Sequence, residues 1–150
     1  MKAVIISDIH GFVSKAEEAI EREKDASMVI FAGDVQRDIE ELCRRYPQMP
    51  VVYVLGNNDW DITDVPFDRT FELGGKRVFL THGHRYGVKS GLYGLRKKAL
   101  EVGADICIFG HTHQSFFQVQ DGIYMINPGY CYCSYAVLEI EGDKIKVEIK

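Results

Sequence analysis

The chain predicts an α/β fold in which two β-sheets pack face to face, with helices outside and one shared core. Three observations lead there. Residues 2–55 alternate strand, helix, strand, helix, strand, the rhythm of a parallel sheet. After Trp60 the pattern changes to short strands joined by tight turns, with one further helix. Each early strand ends on a small polar cluster, and the ligand site of such a sheet lies beyond the carboxyl ends of its strands.

Each element has its own reason. Residues 2–7 are a β-branched apolar run, continuous enough for burial on both faces. Residues 13–24 have helical spacing, with Val13, Ala16, Ala19 and Ile20 on one side and Glu17, Glu18, Glu21 and Lys24 on the other. Ser14, with Glu17 three residues on, has the form of a helix cap. Residues 27–32 are the second strand, ending in Gly33-Asp34. Residues 37–46 are the second helix, closed by Pro47 and Pro50. Residues 51–55 are the third strand, ending in Gly56-Asn57-Asn58-Asp59. Residues 67–73 and 77–81, joined through Gly74-Gly75, read as a hairpin that delivers His82-Gly83-His84. Residues 90–102 read as a helix with Leu92, Leu95, Ala99 and Leu100 buried. Residues 104–109 form a buried strand that runs into Gly110-His111-Thr112-His113. Four more short strands follow, at 115–120, 122–126, 134–140 and 144–149. Their turns are Asp121-Gly122, Asn127-Pro128-Gly129 and Glu141-Gly142-Asp143. With no repeat, low-complexity tract or linker, residues 1–150 read as a single domain.

Composition narrows the function. The balance of 46% hydrophobic and 27% charged residues is that of a soluble globular chain. A formal net charge of −4 argues against a basic nucleic-acid footprint. No apolar run approaches membrane-spanning length, and Ala3-Val4-Ile5-Ile6 is too short for a signal-peptide core, so a cytoplasmic location is expected. Cys43 and Cys107 lie in patterns that bury a thiol. Cys131-Tyr132-Cys133 lacks the spacing of zinc or thioredoxin-like pairs and reads as packing.

All five histidines fall in turn-like stretches with Gly, Asp or Asn. His111 and His113, one residue apart at a strand end, point to the same side of the chain and can give one ligand to each of two metal ions. The candidate ligands are Asp8, His10, Asp34, Asn57, His82, His111 and His113. This mixed nitrogen and oxygen set, without thiolate, suits Mn foremost, or Ni, Fe, Co or Zn, better than Ca or a structural zinc. It is too large for one ion of ordinary coordination and fits two if a carboxylate bridges them. Singly, each piece has a plainer reading. Asp8 or Asp34 can cap a turn or helix, Asn57 can favour a left-handed turn, and His82 can be a packed histidine. Jointly they all lie where strands end, which favours a metal pair.

The order Asp-x-His, Gly-Asp, Gly-Asn-x-Asp, His-Gly-His and Gly-His-x-His, at Asp8, Asp34, Asn57, His82 and His111, resembles the calcineurin-like metallophosphoesterases. The short chain, Gly56-Asn57-Asn58-Asp59 and the closing Asn127-Pro128-Gly129 are most similar to the small phosphodiesterase branch. The resemblance spans Asp8 to Gly129 and implies a sandwich of two mixed β-sheets flanked by helices. It also implies that Asp8, His10 and His113 hold one metal, that Asn57, His82 and His111 hold the other, and that Asp34 bridges them. His84 would lie just outside the ligands or touch the phosphate, which makes Asp34, Asn57 and His84 the catalytic candidates. Many members carry His after the Gly-Asn to protonate the leaving group. This chain has Asn58, which cannot donate a proton in the general-acid sense. Reliance on good leaving groups, metal-bound water or His84 as acid is expected instead.

Two divalent ions bring four positive charges, of which Asp8, Asp34 and a bridging hydroxide remove three. The positive remainder suits a phosphate oxyanion and in-line attack by that hydroxide, with no Ser, Cys or Lys nucleophile. The expected substrate is therefore a small phosphodiester. A phosphomonoesterase or nucleotidase would use the same site. A binding scaffold like the retromer subunit of this branch is the rival of another class. Tyr130, Tyr132 and Tyr135 are candidates for a protein contact or self-association face, and equally for core.

Overall fold

The strand Lys2–Ile6 (β1) lies at the centre of one sheet, and its residues divide between two cores. Ala3 and Ile5 face the other sheet, while Val4 and Ile6 face the helices. Alternating side chains with both faces covered explain the unbroken apolar run. Each such Ile contributes about 1.5–3 kcal/mol by burial. The computed structural model describes residues 1–150.

The first half alternates as expected. After β1 come α1 (Val13–Arg22), β2 (Met28–Phe31), α2 (Gln36–Arg45) and β3 (Val51–Tyr53). The second half contains β4 (Asp68–Leu73), β5 (Lys76–Thr81), a 3₁₀ turn (His84–Tyr86), α3 (Tyr93–Glu101), β6 (Ile106–Ile108), β7 (Phe116–Gln120), β8 (Ile123–Asn127), β9 (Ala136–Glu141) and β10 (Lys144–Ile149). One sheet has the order β10-β9-β1-β2-β3, and the other β4-β5-β6-β8-β7. Both are mixed. β1, β2 and β3 run parallel, with β9 antiparallel to β1 and β10 to β9. β5, β6 and β8 run parallel, with β4 and β7 antiparallel at the edges.

Ile5, Ile30, Leu80, Ile106 and Leu138 interdigitate between the sheets. Ile6, Phe31, Ile20 and Leu42 join the first sheet to α1 and α2. Phe79, Cys107, Leu95 and Ala99 join the second sheet to α3. The architecture is therefore helix, sheet, sheet, helix. No helix is long and apolar enough to cross a membrane.

The structure departs from the local pattern at several places. Ser14 does not cap α1: the N-cap is Phe12, with no side-chain cap bond, and Ser14 already lies in the first turn. α3 begins at Tyr93 because Gly91, at φ 148°, breaks the pattern before it. Leu100 is exposed, since Leu95 and Ala99 occupy the buried stripe and Leu100 follows Ala99 by about 100° around the helix. The 3₁₀ turn after His82 carries no apolar periodicity that would reveal it. The cysteines are free thiols: Cys107 and Cys131 are buried as expected, whereas Cys43 is only half-buried and Cys133 is exposed, so the packing reading does not extend to Cys133.

Candidate metal centre

The loops after β1, β2, β3, β5 and β6 meet at one edge of the sandwich. Left-handed backbone marks the place. Six non-glycine residues have positive φ, and five of them are Asp8, His10, Asp34, His111 and His113. Such conformations cost energy and persist where the surrounding structure imposes them, typically at functional sites. Here they turn each side chain back over the strand ends.

The floor of the site is buried: Asp8, Asp34 and His82 are almost without solvent exposure. His10 and His113 form a more open rim. Asp8 Oδ1 lies 3.2 Å from His113 Nε2, 3.7 Å from His10 Nε2 and 3.8 Å from His82 Nε2. Asp34 Oδ2 lies 3.7 Å from His10 Nε2 and 4.0 Å from His82 Nε2. His111 packs edge-on against His82, with ring centroids 5.1 Å apart. His84 lies 5.6 Å from His82 and 6.1 Å from His111, again between centroids. All seven proposed ligands and His84 are thus gathered together.

Three polar atoms of the cluster lack ordinary partners. Asp8 Oδ1, His10 Nε2 and His84 Nδ1 are buried without a hydrogen bond. Asp8 Oδ2, by contrast, accepts from Ser7 Oγ at 2.5 Å and from the His111 N–H at 3.2 Å. One carboxylate oxygen is anchored and the other aimed inward. His82 Nδ1 lies 2.8 Å from the Ala32 carbonyl, which can only accept, so that nitrogen carries the proton. The bare lone pair on Nε2 then faces Asn57 Oδ1, another acceptor, at 3.1 Å. Two lone pairs at that distance repel, and a cation shared by both atoms would relieve the repulsion. The donor set therefore fits divalent metal ions.

Electrostatics agree. Burial, then the neighbouring His82, pushes His111 down to about 4. The same two causes lower His84. Both rings are neutral at pH 7, so their lone pairs are available without first losing a proton.

Glycines permit the close packing. A Cβ on Gly56 would lie 2.4 Å from Asp34 Oδ1, and one on Gly110 would lie 2.0 Å from Ser7 Oγ. Asn58 donates from its backbone to Asp34 Oδ1 at 2.7 Å and from its side chain to Asp34 Oδ2 at 2.5 Å. A cleft of about 580 Å³ opens beside His10 and is lined by Arg37 and Arg44. On the far side, the Arg85 guanidinium lies 5.4 Å over the Phe67 ring.

Supporting residues escaped the sequence reading. Buried Asp59 accepts from the Gln36 N–H at the start of α2 and from the Gly56 N–H. Asn127 holds the histidine loop through Gly110 O at 3.0 Å and Thr112 Oγ1 at 2.9 Å. Tyr130 stacks on His113, with centroids 5.3 Å apart and planes 15° apart. Asp59 and Asn127 stand inside the Gly56–Asp59 and Asn127–Gly129 motifs, but nothing local shows which loop each would hold.

Residues 1–143 match the calcineurin-like phosphoesterase superfamily domain. A probable metallophosphoesterase of Bacillus subtilis, YsnB, is 34% identical over 98% of this chain and 89% of its own. Phosphodiesterase MJ0936 of Methanocaldococcus jannaschii is 32% identical over 90% of this chain and 86% of its own. Among solved structures, a predicted phosphoesterase of Streptococcus pneumoniae superposes with a TM-score of 0.82 at 28% identity, covering 99% of this chain and 87% of that one. Vps29 of Entamoeba histolytica, solved with zinc, shares the fold at a TM-score of 0.81 and 19% identity, covering 100% of this chain and 98% of its own. The extent of these matches places the chain in the calcineurin-like phosphoesterase superfamily, a family of metal-dependent hydrolases.

Proposed function

We propose that the chain is a cytoplasmic two-metal phosphodiesterase acting on small phosphodiesters, with Mn foremost and Ni, Fe, Co or Zn as alternatives. Asp8, His10 and His113 would hold one ion and Asn57, His82 and His111 the other, with Asp34 as the carboxylate that both would share. The observation that carries this reading is the convergence of bare acceptor atoms. Asp8 Oδ1 and His10 Nε2 have no hydrogen bond, and His82 Nε2 faces Asn57 Oδ1. When bound, the ions supply Lewis acidity, an activated water and charge neutralisation for in-line displacement at phosphorus.

The chain's own groups do the rest. Ser7 and the His111 N–H fix Asp8 so that only Oδ1 faces the centre. Asn58 holds Asp34 and does not protonate a leaving group. His84, whose pKa burial and then His82 lower, serves as a hydrogen-bond partner for a phosphoryl oxygen. Such a site favours good leaving groups. Diesters are preferred to monoesters because the rim at His10 and His113 is open and a cleft runs from it, leaving room for a second substituent. The phosphodiesterase name of the Methanocaldococcus relative supports the same choice.

The test uses metal-stripped protein with bis(p-nitrophenyl) phosphate and p-nitrophenyl phosphate, with and without Mn, and Asp34→Asn as control. Mn-dependent cleavage of the diester, lost in the control, is expected. Cleavage of the monoester alone would make the protein a phosphomonoesterase. Turnover of neither, with metal bound, would point to a binding scaffold, and near-normal turnover in Asp34→Asn would remove the bridging role.

A further inference from the structure

Beside the centre lies an aromatic surface that the chemistry above does not use. It begins at Tyr130, stacked on His113 at 5.3 Å and tilted against His10 at 6.1 Å. Phe12 stands edge-on to Tyr130 at 6.1 Å and to Tyr132 at 4.8 Å. Tyr132 lies 6.1 Å from Tyr130 with only 30° between their planes. The rings thus form one continuous patch running outward from the metal rim.

Two facts argue against simple packing. Phe12 is 40% exposed and Tyr132 is 52% exposed, although both are large and apolar. Their backbone, meanwhile, is tightly held. The Cys131 N–H donates to Ser7 O at 3.1 Å, and the Cys133 and Ser134 N–H groups return to Tyr130 O at 2.8 and 3.0 Å. The Phe12 N–H donates to Ile9 O at 3.0 Å, and the Gly11 N–H to Asp38 Oδ2 at 2.7 Å. Exposed rings on a fixed backbone lose little freedom when something stacks on them. Lys15, 5.9 Å from the Tyr132 ring centre, closes the outer end of the patch.

We infer that Phe12, Tyr130 and Tyr132 form a stacking platform that selects phosphodiesters carrying a planar aromatic group on the retained side of phosphorus. A diester whose phosphoryl group sits at the centre would project its substituents past the rim, and on the His10–His113 side the ring adjoining that rim is Tyr130. Aromatic rings and nucleobases share the required flat face, and base stacking on aromatic side chains is tolerant of base identity. The inference rests on the phosphodiesterase reading and narrows its substrate class.

The experiment holds the leaving group constant and varies the retained group. Mn-loaded protein is given the p-nitrophenyl diesters of thymidine 5′-phosphate, phenyl phosphate and methyl phosphate. KM for one or both aromatic diesters is expected to be about tenfold below that for the methyl diester. Phe12→Leu/Tyr132→Leu, which keeps apolar bulk and removes the π faces, is expected to bring the three KM values together with little change in kcat. Preference for the thymidine diester alone identifies a nucleoside platform, and preference for both identifies a general aryl platform. A second readout needs no variant. Thymidine 5′-phosphate, but not inorganic phosphate, is expected to shift the ring-proton resonances of Phe12 and Tyr132 in protein loaded with diamagnetic Zn. Equal KM values in the wild type, or a preference unchanged in the double variant, would overturn the platform while leaving the phosphodiesterase standing. Turnover of none of the three would remove both.

Discussion

Asn58 holds both oxygens of Asp34, one through its backbone N–H at 2.7 Å and the other through its side-chain amide at 2.5 Å. The residue that replaces the expected leaving-group acid is therefore tied to the carboxylate proposed to lie between two ions. Removing the side-chain bond leaves the backbone bond intact. Asn58→Ala is expected to weaken metal binding about tenfold, the lower end for partners that orient a ligand. Titrating Mn into metal-stripped protein by calorimetry measures this, and unchanged affinity would show that the amide is incidental.

Asn58→His restores a titratable group. The expected outcome is a selective gain on poor leaving groups, with activated p-nitrophenyl esters little affected. A plot of log kcat against leaving-group pKa should become shallower. A parallel displacement of the whole line would show that position 58 has no part in protonation.

Gly56 tests how closely the site is packed. An added methyl would lie 2.4 Å from Asp34 Oδ1 and 2.6 Å from its backbone N. Gly56→Ala is expected to destabilise the protein by about 1–3 kcal/mol, as overpacking does. At this chain length, thermal unfolding should fall by about 2–4 °C for each kcal/mol. Gly75 supplies the contrast. It has φ +79° and nothing within 4 Å, so its Ala variant would show backbone strain without a clash.

Glu23 ties the two chain ends to the fold. Its buried carboxylate accepts from Tyr135 Oη at 3.0 Å and from Lys150 Nζ at 2.7 Å, with Lys2 Nζ at 2.8 Å. Burial raises its pKa, but the bonds from Lys150, Lys2 and Tyr135 outweigh burial and hold it at about 2. Its folded value thus lies below the unfolded value of 4.5. Its contribution is complete above pH 4.5 and is lost as pH falls towards 2. Glu23→Gln is expected to cost about 1.5–3 kcal/mol at pH 7 and to flatten the loss of stability across that acid range. Denaturant midpoints at pH 7, 4 and 3 check both claims, and an unchanged slope would assign the acid sensitivity elsewhere.

Much of this molecule was readable from local pattern alone. The apolar run at the N-terminus, the helical spacing of Val13, Ala16, Ala19 and Ile20, and the Gly74-Gly75 turn are decided by neighbours a few residues away. The polar clusters at strand ends follow from the same reasoning, because βα alternation sends such clusters to one edge. Errors arose where local signals competed. Ser14 has cap chemistry, yet α1 starts two residues too early to use it, and Leu100 has the right type but the wrong angle on a shortened α3.

Tertiary structure decided which atoms face the centre. The tautomer of His82 depends on the carbonyl of Ala32, 50 residues away, and the direction of Asp8 on the His111 N–H, 103 residues away. The hold of Asn58 on Asp34 and the stacking of Tyr130 on His113 likewise join distant loops. Which residues have the chemistry to bind metal is legible in the chain alone, because donor type and strand-end position are local properties. Only the fold decided which lone pairs are left bare and which rings stay exposed, because those depend on what the other sheet and its loops bring within hydrogen-bond distance.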